Sequence, residues 1–244
     1  MLWINFLHIY QPATTDARTI KEATEKSYLR IIRALEEHPQ IKFTININGC
    51  LIERWEELGY GGLIKRLKKL INKGQIEISG TAFYHPILPL VPEEEAKKQI
   101  KEQRGKLKKY FGKNIKLAGF FLPEMAYDEN VGKLIKRLGY EWIILDEISA
   151  GGKLNTIKTD RAYQDKKSGL KIIFRSRANS SIYFPDKFLK IKHNNNQIFI
   201  TATDGELYGL KHEDPTAEFE KMLKSKYLKT LTISEFLENQ ELQK

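Results

Sequence analysis

The chain has a single cysteine, Cys50, in 244 residues. One thiol closes no internal disulfide and supplies no cysteine-based zinc cluster. No apolar run approaches the roughly 18 residues of a membrane span. The first ten residues lack a basic leader and a small-residue cleavage site, and read as a strand rather than a secretory signal. These absences lead to the expectation of a cytoplasmic protein with no membrane partner. Internal repeats, low-complexity tracts and an interdomain linker are lacking too. Residues 1–244 are therefore expected to form a single domain, a size that barrels of strands and helices commonly reach undivided.

Acidic residues are in deficit: 41 basic side chains face 31 acidic ones, a formal charge of +10. The excess is spread along helical stretches, as in Lys65, Arg66, Lys68 and Lys69, or Lys106, Lys108 and Lys109. A solvated helix face accounts for such runs. Lysine far outnumbers arginine, the usual bidentate reader of phosphate and guanine, so no nucleic-acid partner is expected.

What is present is alternation. Seven β-rich runs, residues 2–9, 42–47, 75–79, 115–122, 142–145, 170–175 and 197–203, are separated by helical stretches. Several are continuously apolar, such as Ile143-Ile144-Leu145 and Ile172-Ile173-Phe174, which is how strands read when helices cover both faces of a parallel sheet. Amphipathic spacing predicts helices over residues 19–37, 61–73, 92–111 and 128–138. Thr232 and Glu235 have the spacing of a capping box that starts a last helix. Residues 151–159 and 176–192 read as loop-rich, and Asn194, Asn195 and Asn196 as a tight turn. The fold expected is α/β: an incomplete (β/α)7 barrel of parallel strands with outer helices. An open doubly wound sheet is the alternative.

In parallel α/β folds the working residues gather at the carboxyl ends of strands. Those ends carry His8 to Pro12, Glu77 running on to Tyr84 and His85, Glu124 to Tyr127, Asp146 with Glu147, Arg175 with Arg177, and Asp204 with Glu206. Glu124 follows a proline at the end of an apolar run, and Asp128 is the better cap for the helix beyond it. Asp204 also fits an Asp-Gly turn. Two carboxylates on one rim suit glycoside hydrolysis: one attacks the anomeric carbon or activates water, and the other protonates the departing oxygen. Histidines and further carboxylates would hold sugar hydroxyls, and aromatic faces would stack on sugar rings. Glu206 is the alternative to Asp204, because positions two apart on a strand face the same way.

Four segments, in order, resemble the sequence regions of glycoside hydrolase family 57: His8-Ile-Tyr-Gln-Pro12; Gly74-Gln-Ile-Glu77 with Tyr84-His-Pro-Ile-Leu-Pro-Leu90; Phe121-Leu-Pro-Glu124; and Asp204-Gly-Glu206-Leu-Tyr-Gly209. The resemblance spans residues 3–210, and residues 228–237 resemble the end of the family's catalytic domain. It implies a (β/α)7 barrel and a retaining mechanism without metal or cofactor. The substrates implied are α-glucans or maltooligosaccharides, as in α-amylases and 4-α-glucanotransferases. It implies Glu124 as nucleophile and Asp204 as general acid/base. His8, Glu77, Tyr84, His85, Tyr127 and Glu206 are expected to bind substrate. The chain departs from the family at Tyr10, where a second histidine is usual, and at Leu210-Lys-His212, where His-Trp-Trp is common. Two rivals remain. A metal-dependent deacetylase would need a histidine pair four apart, which the five histidines do not offer. A carbohydrate-binding barrel with weak turnover would keep the fold and lose the chemistry.

Overall fold

The computed structural model describes residues 1–193 and 197–243, so the turn expected at Asn194, Asn195 and Asn196 lies outside the described residues. The chain runs β1 (Leu2–Ile9), α1 (Ala17–Ala23), α2 (Leu29–Glu37), β2 (Phe43–Ile47), α3 (Gly49–Glu57), α4 (Gly61–Asn72), β3 (Ile76–Ser79) and α5 (Glu93–Phe111). It continues through β4 (Gly119–Phe121), α6 (Glu129–Arg137), β5 (Trp142–Asp146), β6 (Ala162–Gln164), β7 (Lys171–Arg175), α7 (Arg177–Ser180) and α8 (Phe184–Lys190). It closes with β8 (Ile198–Asp204), α9 (Glu218–Leu223), β9 (Lys229–Thr230) and α10 (Ile233–Glu238). Each of the seven expected runs holds a strand.

The strands form two sheets rather than one closed sheet. One has the order β3-β2-β1-β8, all parallel, with the short β9 also beside β1; the other has the order β4-β5-β7-β6, with only β6 antiparallel. Backbone hydrogen bonds link the sheets at both edges, two at one and one at the other. Gly80 N–H donates to the Gly119 carbonyl and Phe121 N–H to the Gly80 carbonyl, each 2.8 Å. On the other side Ser176 N–H donates to the Ile200 carbonyl at 3.0 Å. Glycine is required at the first edge: a Cβ on Gly119 would fall 1.9 Å from the Trp142 ring.

Strand residues alternate between two cores, because successive side chains leave a strand on opposite faces. Ile4 and Phe6, Phe121, Trp142 and Ile144, Ile173, and Ile200 and Ala202 meet between the sheets, where Ile233, Phe236 and Leu237 of α10 pack against them. The opposite faces go outward. Leu7, Ile9, Phe43, Ile45, Ile47 and Ile78 pack with α1 to α4, and Phe120, Ile143, Leu145, Ile172 and Phe174 with α5 and α6. Burial on both faces is why these strands read as unbroken apolar runs.

Helix α10 has the capping box its sequence predicts: Glu235 N–H donates to the Thr232 hydroxyl at 3.2 Å, and Thr232 N–H to the Glu235 carboxylate at 3.0 Å. Some elements differ from expectation. Residues 176–192 hold α7 and α8 rather than loop alone, and α3, α9, β6 and β9 were not expected. The helix expected over 19–37 is interrupted by one wide π-turn, Thr24–Tyr28. Residues 151–159 carry neither helix nor strand.

Inward polar contacts anchor α10, chiefly through Glu77. Glu77 on β3 accepts from the Thr44 hydroxyl at 2.9 Å, from Ser234 N–H at 3.2 Å and from the Ser234 hydroxyl. Burial pushes its carboxyl above the ordinary glutamate range, and these donors oppose the shift. Ser234→Ala should therefore destabilise the fold by about 2 kcal/mol, since it strips the hydroxyl donor from a buried carboxylate and takes the acceptor from the Trp142 indole N–H, 2.9 Å away. Urea midpoints test this, and a loss under about 0.5 kcal/mol would show that the fold does not depend on the Ser234 hydroxyl.

Candidate active site

The inward rows of the strands end in polar residues. Along β1 the inward positions are Ile4, Phe6 and His8; along β5 they are Trp142, Ile144 and Asp146; along β8 they are Ile200, Ala202 and Asp204. The ladders hold these ends level: His8 lies beside Asp204 and Asn46, Asn46 beside Ser79, and Asp146 beside Arg175. Above the apolar layer of Phe6, Phe121 and Ala202 opens a cavity of about 210 Å³. Its walls include His8, Glu124, Met125, Asp146, Arg175, Arg177 and Asp204.

Glu124 and Asp204 thus share one cavity, reached from β4 and β8. Glu124 stands just past β4 with its side chain 71% exposed, and its only hydrogen-bond partner among the described residues is His85 Nε2 at 3.3 Å. Its backbone is left-handed, φ 56°, as is that of Met125, φ 54°. Asp204 ends β8 in ordinary extended conformation and is paired to Lys211 Nζ at 2.6 Å. Partial burial of the Lys211 ammonium acts to lower its pKa, but Asp204 and Glu206 hold it above its usual value.

His8 donates from Nδ1 to the Asn46 side-chain oxygen at 2.8 Å, and Asn46 in turn donates to the Ser79 hydroxyl at 3.4 Å. This chain fixes the His8 tautomer and leaves Nε2 as an acceptor. The rings of His8 and His85 stack 4.7 Å apart, and Tyr10 stacks 4.5 Å from His85. Burial, reinforced by the neighbouring His85, drives the His8 imidazole down to about 3. Burial lowers His85 as well, against the pull of Glu124 and Asp204.

Glu206 does not line the cavity. It is buried behind β8, where it accepts from the Tyr28 hydroxyl at 2.5 Å and from Gln11 at 2.6 Å. Burial is the main cause raising its carboxyl. Its carbonyl accepts from the Ser27 hydroxyl and from Lys211 N–H, so the π-turn holds the loop that carries Lys211. Gly209 completes this docking: at φ 132° it lies so close that a Cβ would fall 2.2 Å from the Lys26 carbonyl oxygen.

Three further expected residues stand elsewhere. Glu77 lies one inward layer below Ser79, beside Thr44, and lines a larger cavity of about 610 Å³ shared with α10. Tyr84 is exposed next to the site, and Tyr127 is turned away, donating to Asp165 at 2.8 Å. The cavity also holds residues that the sequence placed on the rim without a role. Asp146 is clamped by Arg175 Nε at 2.8 Å and Arg177 Nε at 3.1 Å, and Arg175 reaches on to the Ala202 carbonyl at 2.9 Å. Burial opposes ionisation of Asp146, but Ile148 N–H and the two guanidiniums outweigh it and keep its carboxyl below the usual range. Their position at strand ends was a usable signal; the pairing between them is tertiary. Among the described residues no three histidine, cysteine or carboxylate side chains converge as metal ligands would.

Fold and cavity together define an α/β protein whose paired carboxylates and histidines sit at the carboxyl ends of parallel strands. A sequence profile described as glycosyl hydrolase family 57 matches residues 4–244, and the chain belongs to that family. It is similar to an alpha-amylase of Pyrococcus horikoshii, 37% identical over 154 residues that make up 61% of this chain and 24% of the relative. It is also similar to a 4-alpha-glucanotransferase of Thermococcus litoralis, 31% identical over 154 residues, 61% of this chain and 23% of the relative. The crystal structure of 4-alpha-glucanotransferase from Thermococcus litoralis superposes with a TM-score of 0.80 at 24% identity, covering 98% of this chain and 38% of that one. The matches thus span about a quarter of the length of these curated relatives.

The burial of His8 has a consequence for stability. Unfolded, it protonates near 6.5; folded, only near 3. Between these values the unfolded chain takes up a proton that the folded chain refuses. The contribution of His8 is full above pH 6.5 and is lost as pH falls toward 3. His8→Phe should flatten the decline of stability by about 2 kcal/mol between roughly pH 7 and pH 5. Urea midpoints at the two pH values measure it, and equal slopes in both proteins would refute it.

Proposed function

We propose that this chain is a retaining glycoside hydrolase acting on α-glucans or maltooligosaccharides. Transfer to a second glucan, as in a 4-α-glucanotransferase, is the companion activity of the same site. The observation that carries the reading is the shared cavity, onto which Glu124 and Asp204 open from β4 and β8. Family membership supports it. The fold we infer is an incomplete (β/α)7 barrel in a single domain, the two sheets being joined at Gly80 and at Ser176.

In this reading a glycosyl unit rests on the Phe6 and Phe121 layer, and His8 Nε2 accepts one of its hydroxyls. A Glu124 oxygen attacks the anomeric carbon while the glycosidic oxygen departs with a proton from Asp204. A water, or a glucan hydroxyl, then gives its proton to Asp204 and displaces Glu124 from the opposite face, which restores the configuration. Glu206 and Glu77 act as anchors, given their buried partners. One observation favours a second reading, a glucan-binding barrel with weak turnover: Lys211 occupies Asp204 and must leave before Asp204 meets a glycosidic oxygen.

Glu124→Ala should lower kcat by roughly 10⁴-fold or more on every glucoside, with azide restoring part of the rate and inverting the product. Asp204→Ala should lose about 10²- to 10⁴-fold on maltooligosaccharides and far less in glycosylation by nitrophenyl glycosides, which leave without help. Glu206→Gln should show no such leaving-group dependence. If it does and Asp204→Ala does not, the acid/base role belongs to Glu206. Saturable glucan binding with no turnover in the unmodified chain would favour the second reading.

A further inference from the structure

We propose that His85 is a positioning residue for Glu124: its ring, packed against His8 and Tyr10, which also stack on each other, donates from Nε2 to the carboxylate and fixes the direction in which that carboxylate meets the anomeric carbon. This rests on the reading of Glu124 as nucleophile and changes the part expected of His85, from holding sugar to holding the protein's own carboxylate.

The geometry is one of a rigid donor and a loose acceptor. The His85 side chain is 6% exposed and that of Glu124 71% exposed, with 3.3 Å between Nε2 and Oε1. Packing does not hold a carboxylate so open to solvent, and among the described residues His85 is its only hydrogen-bond partner. The ring, by contrast, cannot turn freely, because His8 and Tyr10 stack on it at 4.7 and 4.5 Å and Phe121 lies 6.1 Å away.

The proton can be placed by elimination. The groups facing the ring are His8, Tyr10, Glu124 and, at longer range, Asp204. Burial keeps the imidazole neutral more readily than in water, so it carries one N–H. Nδ1 is buried and has no hydrogen-bond partner among the described residues. An ionised carboxylate only accepts, so the proton belongs on Nε2, pointing at Glu124. With Nε2 committed and Nδ1 enclosed, neither ring nitrogen is left for a sugar hydroxyl. A protonated ring would leave a buried Nδ1–H unsatisfied, which makes the neutral donor the form that fits.

The backbone agrees with a fixed relation between the two residues. His85 has φ 60°, Glu124 φ 56° and Met125 φ 54°, three of the five non-glycine positive-φ residues described. Both partners are thus presented from left-handed turns facing each other across β3 and β4. A glutamate side chain in water samples many rotamers, and one hydrogen bond from a fixed ring selects among them. Misplacement of a reacting group by about 1 Å can lower a rate by about 10²-fold.

Two variants of the full chain separate the donor from the ring. His85→Phe keeps an aromatic ring for the stack and removes the donor. His85→Gln gives up the ring but can bring an amide N–H to about the same place. The measurements are the rate of glycosyl-enzyme formation, by intact mass after mixing with an activated glucosyl fluoride, and kcat and KM on a maltooligosaccharide. His85→Phe should slow glycosylation about 10- to 100-fold while KM changes by less than about threefold, because the lost interaction acts on the nucleophile. His85→Gln should recover most of that rate. The proposal is overturned if His85→Phe raises KM and spares kcat, which is the signature of a sugar ligand. It is also overturned if His85→Gln is as slow as His85→Phe while both keep the urea midpoint of the unmodified chain. If His85→Phe fails to fold, His85→Gln decides alone: near-normal glycosylation supports the donor role, and a loss of tenfold or more ends it. A glycosyl-enzyme that still forms in Glu124→Ala would overturn the nucleophile reading and the proposal with it, an outcome distinct from every result on His85.

Discussion

Residues two apart on a strand share a face, and parallel neighbours keep their register through the ladder between them. The site depends on this constraint. β1 and β8 are paired without a break from Leu2 beside Ile198 to His8 beside Asp204. The same ladder that sets Phe6 beside Ala202 in the apolar layer therefore sets His8 and Asp204 level above it. A slip of one residue would send Asp204 outward and bring Thr203 in, and would also drive Ile200 and Ala202 out of the inner core. The apolar layers thus specify the register, and the polar layer inherits it.

The loop after β8 divides its work between chemistry and support. Asp204 faces the cavity, while Glu206, two residues on, has left the strand and is buried against Tyr28 and Gln11. A buried carboxylate without donors would be strongly unfavourable, and these two donors make its place specific. The π-turn at Thr24–Tyr28 brings Ser27 and Tyr28 to the same loop; Gly209 lets the two backbones approach, and Gly205 leaves room for the Tyr28 ring. Gln11 comes from the first similar segment and Glu206 from the last, so two distant motifs are one contact.

The parts legible in the sequence were those with a long-range signature. Strands buried on both faces stand out as apolar runs, and α5 and α10 announce their starts through acidic first turns and a capping box. The four-residue α7 and the two-residue β9 are too short for any period to show. A π-turn adds one residue to a helix without altering composition, so Thr24–Tyr28 read as ordinary helix. Glu77 shows the limit of matching by segment. Its segment lies beside the site, yet Glu77 comes two residues before the end of β3 and so belongs to the layer of Thr44, while Ser79 reaches the rim. Counting back from the strand end by twos would have separated them. The Asp146 clamp could not be counted, because Arg175 and Arg177 meet Asp146 only across β5 and β7.

The two carboxylates of the cavity are positioned by different physics. Asp204 needs no unusual backbone, since extended β8 delivers it with φ −66° and ψ 144°. Glu124 sits where the backbone favours glycine: two successive left-handed residues, Glu124 and Met125, follow Pro123. Each such position costs on the order of 1–3 kcal/mol in a non-glycine residue. Glycine would relieve the strain and remove the carboxylate, so conformation and chemistry ask for different residues, and the chain carries the chemical one. The strain is held in place by local bonds and by the core: Met125 N–H donates to the Leu122 carbonyl at 2.7 Å, Ala126 N–H to the Pro123 carbonyl at 3.1 Å, and Leu122 and Phe121 are buried beneath. Such a turn aims its side chain upward out of the strand end rather than along it. That is how a three-residue strand, too short to carry a reacting group in its own register, still brings a carboxylate over the cavity that β8 reaches directly.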